Sequence, residues 1–506
     1  MVPEQVETNA YGRNGAGGPV SPSRSARLLL AAACGVVIHG CTVGPDYVRP
    51  TIEAPAAYKE LRVDWKPAQP SDDTKRGRWW EAFGDSQLNA LVAQVDISNQ
   101  NLRSAEARYR QAQAVVVASR AGLFPTLDAD ASIIKSRSPV GALGGTTAGR
   151  IVTNRSASLT AGWEADVWGR VRRGIESSEA GAQASAADLE SVRLSAQADL
   201  ATSYLQVRVL DVQKQLLDES IAAFQKTYEL TKNRYAAGVA GKVDVVQSEA
   251  QLRSTQAQAV DLGILRAQLE HAIALLIGKA PADFSLPPAP LVVTMPGIPA
   301  TVPSELLQRR SDIAAAERQV AAANAQIGVA KAAFFPALSL SGTLGSRASD
   351  PALWFTTASR FWSIGPAVAQ SVFDAGLRRA QTDQAIAAYD ATVADYRQTV
   401  LNSFKEVEDN LAILRILEQE TRLQDDAVRA TRESVTLTNN QYKAGIVSFL
   451  NVAIVQTAQL NAERTSVILL GQRLTAAVNL IKALGGDWNV ANLPTPEQLS
   501  ERPAQR

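Results

Sequence analysis

The sequence contains very little histidine and cysteine. Its 506 residues include two of each, His39, His271, Cys34 and Cys41, and both cysteines lie near the N-terminus. A disulfide framework in the rest of the chain is therefore excluded. A histidine-based metal centre or catalytic triad would depend on His271 alone, within a helical pattern. With no glycine-rich phosphate loop either, we predict a protein that is not an enzyme and has no metal or cofactor, against the alternative of a periplasmic hydrolase.

Net charge and aromatic content are also low. The formal net charge is +1, which gives no electrostatic argument for a nucleic-acid partner. Aromatic residues make up 6% of the chain, while alanine, glutamine, serine and threonine crowd the helical stretches. This composition favours long helices that pack through small side chains over a thick apolar core.

Proline is absent from two very long stretches, Gly376–Ala444 and Val171–Ala237. In the first, apolar residues such as Ile386, Tyr389 and Val393 recur every three or four positions, which places them on one stripe of a helix. A helix of about 69 residues would be roughly 100 Å long, whereas globular helices usually have about 8 to 20 residues. Because no ordinary globular domain is that wide, the rest of the chain must be explained around this pair of helices.

The N-terminus has the pattern of a secretion signal. Two arginines precede an apolar run, Leu28–Ile38, which is too short to span a membrane. The run is followed by Cys41, and a small residue before such a cysteine is typical of lipoprotein signals, in which the cysteine is acylated and becomes the first residue. Cys34 is the rival site, but its apolar run would be only about six residues long. We predict a signal peptide at 1–40 and a covalent lipid, such as palmitate, on Cys41.

The chain repeats itself with a period of about 200 residues. A shift of 207 residues places Leu230–Tyr235 on Leu437–Tyr442, and a shift of 211 places Gly122–Pro125 on Ala333–Pro336. Such a tandem duplication takes precedence over local patterns, and each copy reads as helix, strand, strand, very long helix and returning helix. The predicted domains are a signal peptide at 1–40, an extended periplasmic segment at 41–85, repeat 1 at 86–290, repeat 2 at 291–488 and a C-terminal tail at 489–506.

Alternating apolar and polar residues predict four strands. The predicted strands are 127–133, 158–168, 338–344 and 362–373, and the predicted helices are 86–121, 171–237, 243–277, 304–333, 376–444 and 447–484. Four strands cannot close a membrane barrel, which needs at least about eight, and open strand edges are not tolerated in lipid. The sequence therefore predicts a ring of several chains. Three chains would supply about twelve strands, enough to enclose a channel; the alternative is a periplasmic trimeric coiled coil decorated with hairpins.

Four motifs, together with the duplicated Tyr-x-x-Gly turns, add a family resemblance. The motifs are Cys41–Pro50 (CTVGPDYVRP), Trp79–Asp85 (WWEAFGD), Pro303–Arg310 (PSELLQRR) and Lys482–Trp488 (KALGGDW). In combination they resemble the TolC-like outer-membrane efflux factors, in the lipoprotein branch represented by NodT and OprM. The resemblance covers nearly all of residues 41–488. The family usually has proline at the position of Ser311, so we expect a small change at the start of that helix without loss of the fold.

The resemblance implies a mainly α-helical homotrimer with a small twelve-stranded β-barrel through the outer membrane, four strands from each chain. A hollow helical barrel of roughly 100 Å would extend into the periplasm of a Gram-negative bacterium. The implied partners are outer-membrane lipid, a periplasmic adaptor (a membrane fusion protein) and an inner-membrane transporter of the proton-driven RND class. The chain would be the passive exit channel for small molecules, including drugs, and so would support multidrug resistance. Type I protein secretion and heavy-metal efflux are the alternatives within the family.

The resemblance also identifies the two glycine turns as the periplasmic gate. In the family, acidic side chains at positions matching Asp244 point into the closed tip, and three copies would form a ring that selects cations. Asn451 stands where the other repeat would place an acid. Two tyrosines would hold the tip closed by hydrogen bonds between helices; the alternatives are packing for the tyrosines, a solvated face for Asp244 and a simple helix stop for each glycine. The predicted gate residues are Tyr235, Gly238, Asp244, Tyr442, Gly445 and Asn451.

Overall fold

The computed structural model describes residues 42–60, 78–137, 151–297 and 303–500. The signal peptide predicted at 1–40 and the lipid predicted on Cys41 lie outside these residues. The helices are α1 (Ser86–Ser98), α2 (Gln100–Ala121), α3 (Arg170–Ala236), α4 (Lys242–Leu276), α5 (Pro303–Arg309), α6 (Ser311–Ala332), α7 (Leu377–Lys443), α8 (Phe449–Ala483) and α9 (Pro496–Ser500). The strands are β1 (Thr126–Arg137), β2 (Ile151–Ala165), β3 (Ala337–Ala348) and β4 (Arg360–Ala369). Short 3-10 helices lie at Trp79–Phe83, Pro281–Asp283, Pro351–Leu353, Thr357–Ser359 and Val490–Asn492.

The four strands belong to one compact unit, formed by Pro125–Arg172 and Ala332–Val372 with the described residues 42 and 43. They make a single antiparallel sheet in the order β1, β2, β3, β4. The middle pair joins the two repeats, with Leu159 opposite Leu344. Each repeat therefore supplies one hairpin, and among the described residues β1 and β4 are the edge strands.

The sheet has two chemically different faces, because side chains alternate along a strand and directly paired residues point the same way. We call them the apolar face and the polar face. The apolar face carries Leu127, Ile133, Leu159, Trp163, Leu338, Leu340, Leu344, Trp362, Ile364 and Val368. The polar face carries Asp128, Asp130, Ser132, Ser156, Ser158, Thr160, Ser339, Ser341, Thr343 and Ser363. Large apolar side chains stay exposed on the single chain, as at Trp362 (74%) and Ile364 (70%).

A second unit contains the helices and comprises Gly44–Phe124, Arg173–Lys331 and Phe373–Arg506. Helices α3 and α7 have 67 residues each, so each is about 100 Å long. In α3 many of the buried residues are alanines, whereas α7 buries a stripe that includes Tyr396, Val400 and Val407. Close packing through small side chains, predicted from the composition, is confirmed for α3.

The helix predicted over 86–121 is broken, and the prediction of one continuous helix was wrong. Asn99 leaves the helical backbone, and its side-chain oxygen accepts a hydrogen bond from the Leu102 N–H at 3.0 Å. Its amide nitrogen donates to the Leu276 carbonyl at 2.8 Å. Asn99 therefore caps α2 and also ties it to the end of α4, and this second role has no local signal in the sequence.

The helix predicted over 304–333 is interrupted at Arg310 for a similar reason. The guanidinium of Arg310 is buried and donates to the Ala483 carbonyl at 3.0 Å and to Glu406 at 2.7 Å. Ser311, where the family usually has proline, begins α6, and its hydroxyl lies 2.7 Å from that of Ser191. The effect of having serine here instead of proline stays a prediction.

The returning strands end earlier than predicted. β2 stops at Ala165 and β4 at Ala369, whereas the alternation suggested ends at residues 168 and 373. The next residues turn the chain into the long helices. The carboxylate of Asp166 accepts from the N–H groups of Val171 and Arg172, both at 2.9 Å, and Asp374 caps α7 by accepting from the N–H of Gly376. Capping the unpaired helix N–H groups takes precedence over extending the strand.

Residues 44–60, the N-terminal segment, pack on repeat 2. The Tyr47 hydroxyl donates to Glu317. Farther along, the Glu408 carboxylate accepts from the backbone N–H groups of Lys59 at 2.7 Å and Glu60 at 3.0 Å. Tyr58 is buried in the same cluster as Tyr396 and Val400. The N-terminal segment is thus held by residues far along the chain, in repeat 2.

A buried ionic cluster joins the start of α1 to the middle of α3. Arg208 is only 1% exposed and donates to Asp211 and to the Gln87 side chain, both at 2.8 Å. The Tyr204 hydroxyl donates to Asp85 at 2.7 Å, and Asp85 itself caps α1. Burial raises the pKa of Tyr204 to about 12, so the phenol remains a donor at every physiological pH. Removing Arg208 would leave Asp211 buried without this cation.

Alanine substitutions of four positive-φ glycines separate the free-energy cost of backbone strain from that of a steric clash. Gly278 has φ +69, and an added Cβ would lie 2.2 Å from the Ser98 carbonyl oxygen; Gly238 has φ +73 and nothing within 4 Å. We expect Gly238→Ala to cost about 1–2 kcal/mol from backbone strain alone, and Gly278→Ala about 2–5 kcal/mol because the clash adds to it. Chemical denaturation followed by circular dichroism measures both.

Repeat 2 provides a matched pair for the same experiment. Gly485 has φ +89 with Arg309 O 2.2 Å from an added Cβ, whereas Gly445 has φ +77 and open space. The order of the losses should be the same as in repeat 1. Equal losses at the crowded and open positions would contradict the explanation.

Candidate functional site: the two helix ends at Gly238 and Gly445

Each long helix ends in the same hydrogen-bonded turn. In repeat 1 the Gly238 N–H donates to the Tyr235 carbonyl at 2.9 Å, and the Val239 N–H donates to the Arg234 carbonyl at 2.8 Å. In repeat 2 the Gly445 N–H donates to the Tyr442 carbonyl at 3.0 Å in the same way. Both glycines have positive φ, a conformation that glycine adopts without steric cost. The glycines therefore fix a sharp reversal between the long and returning helices.

The two equivalent tyrosines have different environments. Tyr235 is 46% exposed, whereas Tyr442 is 5% exposed. The Tyr442 ring meets the Phe449 ring edge-to-face at 5.9 Å between centroids, in a cluster with Val452. Within the part of the chain that the structure describes, the buried Tyr442 hydroxyl has no hydrogen-bond partner. The ring of Tyr442 thus packs as a core residue, and its hydroxyl is available for a partner.

Arg234 connects the two repeats at these turns, and the sequence reasoning missed it. Its guanidinium lies over the Tyr442 ring, 4.7 Å from the centroid, and donates to the Tyr442 carbonyl at 3.2 Å. A cation at the C-terminal end of α7 is favoured by both the ring face and the helix dipole. The sequence does contain one signal for this contact. The two repeats differ here, since repeat 2 has Gln441 at the position equivalent to Arg234.

The two polar residues beyond the turns lie in the first turns of α4 and α8. Asp244 is partly buried, and its N–H donates to the Gly241 carbonyl at 3.1 Å. Asn451 is exposed, and its N–H donates to the Ser448 carbonyl at 3.2 Å. Among the described residues, Asp244 belongs to no group of three or more histidine, cysteine, aspartate or glutamate side chains that could hold a metal ion. A ring at these positions needs further copies and stays a prediction.

Within 42–60, 78–137, 151–297 and 303–500, no group of three or more histidine, cysteine, aspartate or glutamate side chains could hold a metal ion. In the same ranges, no helix combines the length and the apolar character that crossing a bilayer would require.

A comparison with known families matches both repeats separately. Residues 91–279 and 302–486 each match the family described as "Outer membrane efflux protein". The chain belongs to this family. The resemblance proposed from the sequence motifs is thereby confirmed, and the protein is an outer-membrane efflux channel component and not an enzyme.

Similar proteins and solved structures agree with the assignment of this chain to the outer membrane efflux protein family. It is 32% identical over 468 residues to the probable efflux pump outer membrane protein TtgC of Pseudomonas putida, which covers 91% of this chain and 96% of the relative. It is also 32% identical to the pyoverdine export outer membrane protein OpmQ of Pseudomonas aeruginosa, over 91% of this chain and 97% of the relative. The structure of the outer-membrane channel OprN superposes with a TM-score of 0.81 at 32% identity, over 88% of this chain and 99% of that one.

Substitution of Arg234 should loosen the turn of the efflux protein at the end of α7. Arg234→Gln introduces the side chain found in repeat 2 and removes the cation, so we expect about 1–2 kcal/mol less local stability. Backbone amides of residues 436–450 should then exchange with deuterium about 5- to 30-fold faster in mass spectrometry. Arg253→Gln is the control, because that guanidinium is exposed and lies 3.7 Å from Glu249. Equal protection in Arg234→Gln and the parent protein would rule out the contact as a stabilising link.

Proposed function

We propose that three copies of this chain form an exit channel through the outer membrane, which receives small molecules from an inner-membrane pump through a periplasmic adaptor. One observation carries the proposal: the four-stranded sheet has an apolar face, a polar face and two edge strands, β1 and β4, on a chain of the outer membrane efflux family. Unpaired strand edges are not tolerated in lipid. Pairing β4 of each copy with β1 of the next removes these edges.

The number of copies follows from the space that a barrel encloses. Eight strands from two chains would give an interior filled by their own side chains, whereas about twelve strands from three chains leave a passage. The polar face would line this passage and the apolar face would contact lipid. The two helices of 67 residues, doubled by α4 and α8, would continue the passage as a helical tunnel in the periplasm.

The proposed substrates are small organic molecules, and the proposed partners are a periplasmic adaptor and an inner-membrane pump of the RND class. The support is the 32% identity to TtgC and to OpmQ, whose names describe a pump component and a pyoverdine exporter. A channel of this kind acts as a passive conduit, so selection of the substrate belongs to the pump. The adaptor would dock at the turns around Gly238 and Gly445.

The gate would lie at these same turns. Three chains around an axis would bring together three copies of Asp244, with Asn451 at the equivalent position of the other repeat. A carboxylate ring at a constriction attracts cations and repels its own members. The stacked Arg234 and Tyr442 would hold the helix pair α3–α4 against the helix pair α7–α8 until the adaptor separates them.

Conductance in planar bilayers tests both the channel and the gate. We expect trimers of the parent protein to conduct with a preference for cations. At about 8 Å in water each carboxylate contributes about 0.5 kcal/mol of attraction, so Asp244→Asn should lower the potassium-to-chloride preference at least about twofold, and Asn451→Asp should raise it. Asp218→Asn, in an exposed i,i+4 pair with Lys214, is the control. Absence of any channel would refute the proposed function, and an unchanged preference in both variants would remove these residues from the gate.

The lipid anchor gives a separate prediction. We propose that Cys41 becomes the acylated N-terminal residue after removal of residues 1–40. Cells grown with labelled palmitate should label the parent protein and the Cys34→Ser variant, and should fail to label Cys41→Ser. The anchor adds membrane affinity in proportion to its buried methylene groups, about 0.8 kcal/mol each. Label retained in Cys41→Ser and lost in Cys34→Ser would move the processing site to Cys34.

A further inference from the structure

Cationic side chains on the apolar face of the sheet are confined to one end. Lys135, Arg137, Arg155 and Arg360 all belong to this face, because they pair with or alternate with its members. They lie at the strand ends joined by the β1–β2 and β3–β4 connections, here called the hairpin end. We call these four residues the basic belt. No aspartate or glutamate occurs on the apolar face among the described strand residues.

The register places the belt beyond most of the large apolar side chains, with Ile133 and Ile151 lying within it. Arg155 is opposite Ile133 on one side and Ala348 on the other, and Arg360 is opposite Ser346. Leu159, Leu344 and Trp362 lie nearer the other end of the strands. The apolar face therefore gains cations towards the hairpin end, where Ile151 lies opposite Arg137.

The polar face has the opposite arrangement of charge. Its carboxylates, Asp128, Asp130 and Glu164, lie towards the strand ends that lead to the helices. Arg347 is the cation of this face at the hairpin end, and its guanidinium lies over the Phe361 ring at 5.2 Å. The hairpin end thus presents cations on both faces, but only those of the apolar face would contact lipid in the proposed barrel.

An open groove of about 610 Å³ reaches the belt on this sheet. Its lining includes three alanines, Ala129, Ala131 and Ala157, and extends to Phe355 and Arg360; Asp130, whose position belongs to the polar face, also borders it. Phe355 belongs to the β3–β4 connection and has φ +72, a conformation that a bulky residue rarely adopts. Its N–H donates to the Ser346 Oγ at 3.1 Å, which holds the strained residue against the sheet while its side chain stays 62% exposed.

We infer that the basic belt binds the phosphate groups of a phosphorylated, acylated lipid in the outer leaflet, with an acyl chain lying in the groove beside Phe355 and Arg360. The inference rests on the proposed function, since the helices must then face the periplasm and the hairpin end must face outwards. Guanidinium groups recognise phosphate by paired, charge-assisted hydrogen bonds. The small alanine side chains leave room for a hydrocarbon chain, and the cations lie where its headgroup would be.

Barrel closure would bring the cations of neighbouring copies together at the belt. Pairing β4 of one copy with β1 of the next brings an edge that carries Arg360 to an edge that carries Lys135 and Arg137. Like charges on neighbouring strands are destabilising unless a counter-charge lies between them. On the lipid side of a barrel, cations are tolerated near the interface and strongly disfavoured at the midplane, which matches their confinement to one end.

Binding of lipid A to the purified trimer in detergent tests the inference. The probe carries two phosphates on an acylated disaccharide, and the same molecule without phosphates is the reference ligand. Each cation near an anionic lipid surface contributes about fivefold in affinity, so Lys135→Gln/Arg137→Gln should bind lipid A about 25-fold more weakly. Arg360→Gln should also weaken binding. Arg155 is not substituted, because it donates to the Ser349 carbonyl at 2.8 Å and supports the β3–β4 connection.

Arg347→Gln is the matched control, since it removes a cation at the same end from the polar face. It should bind lipid A like the parent protein, and none of the variants should change binding of the dephosphorylated lipid. Equal affinity of the double variant and the parent, or an equal loss in Arg347→Gln, overturns the inference. The same preparations are measured in planar bilayers. If they conduct while the belt has no effect on lipid binding, the inference alone fails; if no channel forms, the proposed function fails and the inference with it.

Discussion

Backbone hydrogen bonding is the constraint on which the rest of this structure depends. A membrane offers no water to an unpaired N–H or carbonyl, so a strand edge in lipid must be paired. The chain has four strands in one antiparallel sheet, with β1 and β4 at its edges. Copies of the same chain can satisfy these edges without any new sequence. The small sheet, the duplication and the oligomeric assembly proposed here are thus three aspects of one requirement.

Much of the fold could be predicted because its signals are local or repeated. The ends of α3 and α7 lie within one residue of the predicted limits, since proline-free periodicity and a following glycine are read directly from the chain. The break at Asn99 and the interruption at Arg310 could not be predicted. Their side chains bond to Leu276 and Ala483, more than 170 residues away, and such partners leave no local pattern.

The candidate site shows the limits of reasoning from duplication. Equivalence between Tyr235 and Tyr442 suggested equal roles, but one is exposed and the other is buried against Phe449. Arg234 adds a second contact, since it stacks on Tyr442 and has glutamine as its counterpart in repeat 2. In this protein, a residue that differs between the two repeats marks the contact between them better than the residues that the repeats share.

The N-terminal segment also determines when this protein can finish folding. Tyr47 bonds to Glu317, 270 positions later, and the Lys59 N–H bonds to Glu408, 349 positions later. Contacts of such long sequence separation form slowly and only after both partners exist. The part of the chain that is synthesised first therefore stays without its docking surface until most of repeat 2 has been made. Docking of this segment, and any compaction that depends on it, therefore waits until the chain extends at least as far as Glu408.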